Sequence, residues 1–246
     1  MKILVCVSKT PDTTAKIQFK NNNTEFDESG VQFIMNPYDE WYALVRALEL
    51  QEKNGGSVTL IHVGDSSADT IIRKGLAIGA DDAVRIDMNP ESADVVARQI
   101  AAYASENNFD LIFLGKETID YNGSEVGSML AGLLNLPFVS YASNLDYDGS
   151  QATITRDIEG GKETLKVSPP FILSAAKGLA EQRIPNMRGI MMAKRKPLNV
   201  ISPTESTPAT TVVEYTLPPA KSSVKLFNAD EMDKLADALH NEAKVI

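Results

Sequence analysis

The chain is poor in the residues that most often carry chemistry: 246 residues include one cysteine, two histidines and one tryptophan. A lone thiol, Cys6, excludes an internal disulfide and any paired-cysteine metal or redox motif, and it points to a reducing, cytoplasmic setting. His62 falls in a strand pattern and His240 in the last helical pattern, so the spacing assembles neither a histidine metal site nor a Ser-His-Asp triad. No serine occupies a GxSxG elbow, and no GxGxxG or GxxxxGK[ST] fingerprint follows a strand. Positive charge is also scarce. A formal net charge of −9 repels polyanions, and the one basic run, Lys194-Arg195-Lys196, reads as a solvated helix end, so nucleic acid is not an expected partner. Apolar runs long enough to cross a bilayer are missing, and Met1 leads directly into a strand pattern without leader-like features. Neither export nor membrane insertion is expected.

What is present is a well-patterned α/β chain. Ile3 to Val7, Val58 to Val63, Ala83 to Ile86, Leu111 to Leu114 and Phe171 to Ala175 are short apolar runs without alternation, as in parallel strands covered on both faces. Helical patterns separate the earlier ones. Asn36 reads as a cap with Pro37 at the first helical position, Asp39 and Glu40 in the first turn, and Trp41, Leu44, Val45 and Leu48 on one face. That helix stops at Asn54-Gly55-Gly56, and further helices are expected over Ala68 to Ile78 and Ser92 to Asn107. The order implies a parallel sheet wound with helices, Rossmann-like in architecture. Between Ser140 and Val167, turns at Asp148-Gly149-Ser150 and Gly160-Gly161 separate short strands, which predicts an antiparallel addition at the sheet edge.

Residues 179–198 contain two prolines and a group of methionines and isoleucines that fit neither a strand nor a strongly amphipathic helix. Long irregular segments in compact domains are usually functional or disordered. The expected division is an α/β nucleotide-binding domain over 1–200 and an extended arm over 201–246. Ser202 to Ser222 is a Pro-, Thr- and Ser-rich linker. The arm ends in a helix with a capping-box-like pair, Asn228 and Glu231, and an apolar face of Met232, Leu235, Ala236 and Leu239.

The most informative stretch is Leu111 to Leu134, LIFLGKETIDYNGSEVGSMLAGLL, where a strand enters a loop that opens a helix. Free N–H groups and the aligned peptide dipoles at a helix start favour an anion, so this is a candidate phosphate site. Gly115, Gly123 and Gly127 would let backbone approach a ligand, while Val126, Met129, Leu130 and Leu133 would bury the helix.

These segments together resemble the beta subunit of electron-transfer flavoproteins over residues 2 to about 200. The resemblance rests on KILVCVSKTPD, MNPYDEWYALVRALEL, IIRKGLAIGADDAV, LGKETIDYNGSEVG and the block RDIEGGKETLKVSPPFILSAAKGLAEQR followed by IPNMRGIMMAKRK. It implies a non-catalytic electron carrier that pairs with an alpha subunit holding most of an FAD site. Such a carrier collects electrons from acyl-CoA or other dehydrogenases and delivers them to a quinone reductase. It also implies a structural AMP, lined by Cys6, Asn36, Pro37, Tyr38, Asp39 and Val63, with Gly115, Lys116, Thr118, Tyr121, Gly123, Ser124, Glu125 and Val126 wrapping ribose and phosphate. Electron-bifurcating relatives bind a second FAD in this pocket, and the loop Asp120 to Gly127 matches neither loop pattern completely, so that alternative stays open.

By the same resemblance residues 179–198 form a loop that docks dehydrogenases through Met187, with Ile184, Ile190 and Met191 beside it. Met191 and Met192 are expected to anchor the loop's own helix. Asp157 corresponds to an acidic contact for the flavin domain, and Thr13 stands where some relatives carry an aromatic. A stand-alone ATP-dependent enzyme of the same fold is the competing class, but it needs a glycine-bearing phosphate loop after the first strand. Ser8-Lys9-Thr10-Pro11-Asp12 has no glycine. A regulatory nucleotide-sensing domain would explain the pocket and leave the docking-like loop unexplained.

Overall fold

A computed structural model describes residues 1–221 and 223–246. Ser222, the last residue of the expected linker, lies outside them. The chain opens with β1 (Lys2–Cys6) and four short strands, β2 (Lys9–Pro11), β3 (Phe19–Lys20), β4 (Glu25–Phe26) and β5 (Phe33–Met35). Then come α1 (Asp39–Asn54), β6 (Ser57–Val63), α2 (Asp69–Ile78), β7 (Asp82–Ile86), α3 (Ala93–Asn107), β8 (Leu111–Gly115) and α4 (Val126–Leu134). The second half contributes β9 (Phe138–Tyr147), β10 (Ala152–Ile158), β11 (Gly161–Val167), β12 (Phe171–Ala175), α5 (Met187–Ala193), β13 (Leu198–Ile201) and α6 (Met232–Asp237).

One nine-stranded sheet, in the order β11-β10-β9-β12-β8-β1-β6-β7-β13, organises the molecule. The β9-β10 and β10-β11 pairs are antiparallel, and every other pair in this sheet is parallel. The expected edge addition is therefore a meander, although β9 starts earlier than the turn signals indicate and joins the parallel region through β12. β2 pairs with β5 and β3 with β4 in two small antiparallel ribbons.

Successive residues of β1 serve opposite faces, the reason its run does not alternate. Ile3 and Val5 join Leu44, Leu48, Leu60, Ile72 and Phe113 on one face, whereas Leu4 and Cys6 join Ile61, Ile100, Ile112 and Leu130 on the other. Each fully buried Leu, Ile or Phe contributes roughly 1.5–3 kcal/mol relative to exposure. Trp41, Leu44, Val45 and Leu48 of α1 are all buried, as their spacing predicts. In α4 the buried set is Gly127, Leu130 and Ala131, and Leu133 is exposed, so the face is rotated from the expected one. Gly127 causes the rotation: a β-carbon there would lie within 3.0 Å of the Phe138 ring and of Leu114, so the bare backbone is what packs.

Topology decides where a site can form. From β1 the chain steps through β6 to β7, and α3 then carries it back to β8 on the other side of β1. The β1-β8 pair is thus the point where the winding reverses, and the region beyond the carboxyl ends of these strands is where open α/β sheets form a ligand crevice.

Candidate functional site

The crevice floor is built by the ends of β1 and β8 and the start of α1. Asn36 is fully buried, but it does not cap α1. Its Nδ2 donates to the Glu117 carbonyl at 2.9 Å and its Oδ1 accepts from Ile119 N at 3.0 Å, bracketing the loop after β8. A buried amide needs both a donor and an acceptor, and the loop backbone satisfies both. Pro37 and Tyr38 therefore precede the helix, which begins at Asp39. Tyr38 takes φ 64° and ψ −92°, a strained conformation for a non-glycine residue, and its ring stays exposed.

Two carboxylates lie at this junction. Glu40 is buried, its Oε2 accepting from Ser8 N at 2.6 Å, and burial pushes its carboxyl up to about 8 against that hydrogen bond. Asp39 is pushed up to about 6 by burial, with Lys116 acting against the shift and Glu117 adding to it. Gly115 packs closely on α1: a β-carbon there would lie 2.8 Å from Glu40 Cγ and 3.0 Å from Glu40 N. Burial likewise raises the thiol pKa of Cys6 at the end of β1, with Glu40 adding to the shift, and Val63 closes the end of β6.

Above this floor runs the loop 116–125. Lys116 pairs with Glu117 at 3.2 Å and faces the Tyr141 ring at 5.9 Å. The Tyr141 hydroxyl donates to Ser124 Oγ at 3.3 Å, and Ser124 Oγ to Glu117 Oε2 at 3.4 Å. Asn122 N donates to the Thr118 carbonyl at 2.9 Å, while Tyr121 is largely exposed. Positive φ falls on Asn122 (51°) and Ser124 (53°) and not on Gly123, whose absent side chain would meet only the mobile carboxylate of Glu125. Of the three glycines expected near a ligand, Gly123 alone leaves its space to something that can move. Within α4 the first helical hydrogen bond runs from Met129 N to the Glu125 carbonyl, which leaves the N–H groups of Val126, Gly127 and Ser128 without helical partners.

Backbone N–H groups at a helix start, such as those of α4, are the kind of donors that bind anions. His62 is buried and its Nδ1 lies 2.8 Å from the Val7 carbonyl. A carbonyl only accepts, so Nδ1 carries the proton, and burial lowers the ring's pKa. Among the described residues no group of three or more His, Cys, Asp or Glu side chains is arranged to hold a metal ion.

Comparisons with known proteins identify the family. The model of the electron transfer flavoprotein domain matches residues 24–206. The beta subunit from Bacillus subtilis (strain 168) is 35% identical, with 100% of each chain covered, and that from Syntrophomonas wolfei is 34% identical over 100% of this chain and 98% of its own. The human beta subunit is 32% identical over 94% of this chain and 95% of its own. The chain belongs to the electron transfer flavoprotein beta-subunit family.

For a member of this family the second surface of interest is 179–198. Its root is held to α1 by Trp41 Nε1 donating to the Arg183 carbonyl at 3.0 Å, and by Arg183 on the Glu52 carboxylate at 2.6 and 2.9 Å. Ile184 is 86%, Met187 74%, Met191 67% and Ile190 42% exposed, so the loop presents an apolar patch beside Arg188. Met192 is exposed too, so the methionines do not anchor α5. Ala193 is the buried residue, and Gly189 lets α5 sit on the Ala77 carbonyl of α2, where a β-carbon would come within 2.4 Å. Lys196 Nζ reinforces this contact by donating to the Leu76, Gly79 and Ala80 carbonyls at the end of α2.

The remaining positions are scattered. Thr13 is exposed in the turn after β2, Asp157 pairs with Lys162 at 3.7 Å, and neither hydrogen-bonds to a crevice residue. In the arm, Glu231 accepts from Asn228 N and Nδ2, but the two residues form a turn ahead of α6 and not a reciprocal box. Met232 and Ala236 of the expected apolar face are exposed, as are Val224 and Leu226. Sequence reasoning missed β13, which pairs with β7, and it missed Tyr141. Leu198 to Ile201 is too short and too exposed to stand out, and a positive φ of 57° on a tyrosine leaves no trace in composition.

Proposed function

We propose that this chain is the nucleotide-bearing subunit of a heterodimeric electron carrier. An alpha subunit holds most of the FAD, which supplies the redox chemistry, and this chain contributes a structural AMP site, a docking loop and an arm. The observation that carries the reading is the convergence of β1, β8, α1 and α4 at the sheet reversal, with free helix-start N–H groups beside Gly123. There the N–H groups of Val126, Gly127 and Ser128 would hold the phosphate, and the ends of β1 and β6, at Cys6 and Val63, would line the adenine. Carboxylates at Asp39, Glu117, Asp120 and Glu125 oppose higher phosphate charge, which favours a monophosphate over the triphosphate that an ATP-dependent enzyme needs.

The exposed patch of Ile184, Met187 and Met191 supports docking of dehydrogenases, because flexible methionines adapt to differently shaped pockets. Electrons would enter from acyl-CoA or other dehydrogenases and leave to a quinone reductase. The exposed apolar residues of 223–246 would be covered by the alpha subunit. A bifurcating carrier with a second FAD in the crevice remains the competing reading, because the loop departs from both known patterns. The nucleotide content of the purified alpha–beta complex tests this. One FAD with one AMP supports the simple carrier, two FAD without AMP supports bifurcation, and no nucleotide beyond the alpha-bound FAD refutes the crevice assignment.

A further inference from the structure

The segment after β13 does not hang free. Thr204 N donates to Gln99 Oε1 at 2.8 Å, and Gln99 Nε2 donates to the Thr204 carbonyl at 2.7 Å and to Ser206 Oγ at 2.9 Å. Ala209 N then donates to the Asp94 carboxylate at 3.2 Å. These bonds lace the tail along α3, whose neighbour is α4. Beyond them the tail reaches the β3-β4 ribbon and the loop 116–125. Tyr215 N donates to the Asn23 carbonyl at 2.8 Å, and the Tyr215 ring stacks on Phe19 with centroids 4.7 Å apart and planes 8° from parallel. Its hydroxyl meets the Tyr121 hydroxyl at 3.1 Å. Every other residue of 211–220 is exposed, so the contact is made by this one side chain.

We propose that Tyr215 is a positioning residue for the crevice loop, a latch by which the tail holds 116–125 in place and slows escape of the bound nucleotide. The inference rests on the crevice being the nucleotide site. Its physical basis is a division of labour. The Phe19 stack and the Asn23 hydrogen bond fix the Tyr215 ring with no help from the loop, so its hydroxyl is a pre-positioned partner for Tyr121. Tyr121 has no comparable packing of its own, being 66% exposed. The loop's two left-handed residues, Asn122 and Ser124, immediately follow it, and the latch therefore restrains the part of the loop whose backbone is least favourable.

The test uses the assembled alpha–beta complex as wild type, Tyr215→Phe, Tyr215→Ala, Tyr121→Phe and Tyr215→Phe/Tyr121→Phe. Two quantities are read: release of bound adenine nucleotide after dilution, and amide hydrogen exchange over residues 117–125. Tyr215→Ala should accelerate both by roughly three- to tenfold, the range expected for losing a stack together with its hydrogen bond. Tyr215→Phe keeps the stack and should fall between wild type and Tyr215→Ala. The two Phe variants remove the same hydrogen bond, so the double variant should equal either single one. Unchanged exchange in Tyr215→Ala, or additive effects in the double variant, overturns the latch. A wild-type complex without crevice nucleotide refutes the site reading instead, and the exchange measurement still decides the latch. If Tyr215→Ala does not assemble, the cycle of Phe variants decides it.

Discussion

Glu40 makes the stability of this fold depend on pH, with a sign that follows from its position. The carboxyl is 4% exposed behind Gly115 and accepts a hydrogen bond from Ser8 N. Burial pushes its pKa from 4.5 to about 8, the hydrogen bond from Ser8 acts in the opposite direction, and Asp120 and Asp39 add to the rise. The folded chain thus holds a proton that the unfolded chain gives up. Between about pH 4.5 and about pH 8 unfolding releases this proton, so stability falls as pH rises, with a limiting slope of about 1.4 kcal/mol per pH unit. Over the whole interval the loss is on the order of 5 kcal/mol, a large share of the stability of an ordinary domain.

Glu40→Gln keeps an acceptor oxygen for Ser8 N and removes the titration. Urea unfolding of wild type and variant should give similar stabilities near about pH 5, and by about pH 8 the variant should be more stable by on the order of 3 to 5 kcal/mol. Asp39, pushed up to about 6, contributes a slope of the same sign to both proteins. Parallel profiles, or a variant that is the less stable one at the alkaline end, would refute the argument that an uncompensated carboxyl lies beneath the crevice.

Three further outcomes follow from individual contacts. Met187→Ala should weaken dehydrogenase binding and leave unfolding within about 0.5 kcal/mol of wild type, because the side chain is 74% exposed; a markedly lower melting temperature with unchanged electron entry would place Met187 in the fold and remove it from docking. Gly189→Ala drives a β-carbon to within 2.4 Å of the Ala77 carbonyl, so α5 must lift from α2 at a cost of roughly 1–3 kcal/mol. Limited proteolysis should then cut 179–198 faster, and an unchanged digestion pattern would contradict the packing. Finally, Cys6 is buried with its thiol pKa raised, first by desolvation and then by Glu40, so a disulfide reagent should label it only after unfolding. Rapid labelling of the native chain would show that the end of β1 is open.

The parts of the fold legible in the sequence were those set by local periodicity. Runs such as Ile3 to Val7 and Leu111 to Leu114 lack alternation because both faces of the central strands are covered, and the α1 face of Trp41, Leu44, Val45 and Leu48 is an unbroken helical stripe. Turn chemistry made the β9-β10-β11 meander readable in the same way. The family blocks carried more than periodicity does, since they pointed to the family itself.

What the sequence by itself determined, then, was the class of fold and the family. Tertiary structure decided what individual residues do there. Asn36 looks like a cap in isolation, yet once buried its amide must satisfy two groups, and the loop after β8 supplies both. Gly115 and Gly127 do not show in isolation what they pack against, and the volume in front of them belongs to Glu40 and Phe138. Left-handed φ at Tyr38, Asn122, Ser124 and Tyr141, and the meeting of Tyr215 with Phe19 and Tyr121, join or strain residues far apart in the chain. Local pattern reports only which side of an element is apolar. The occupant of the space opposite that side is chosen when the sheet order β8-β1-β6 brings distant segments to one edge.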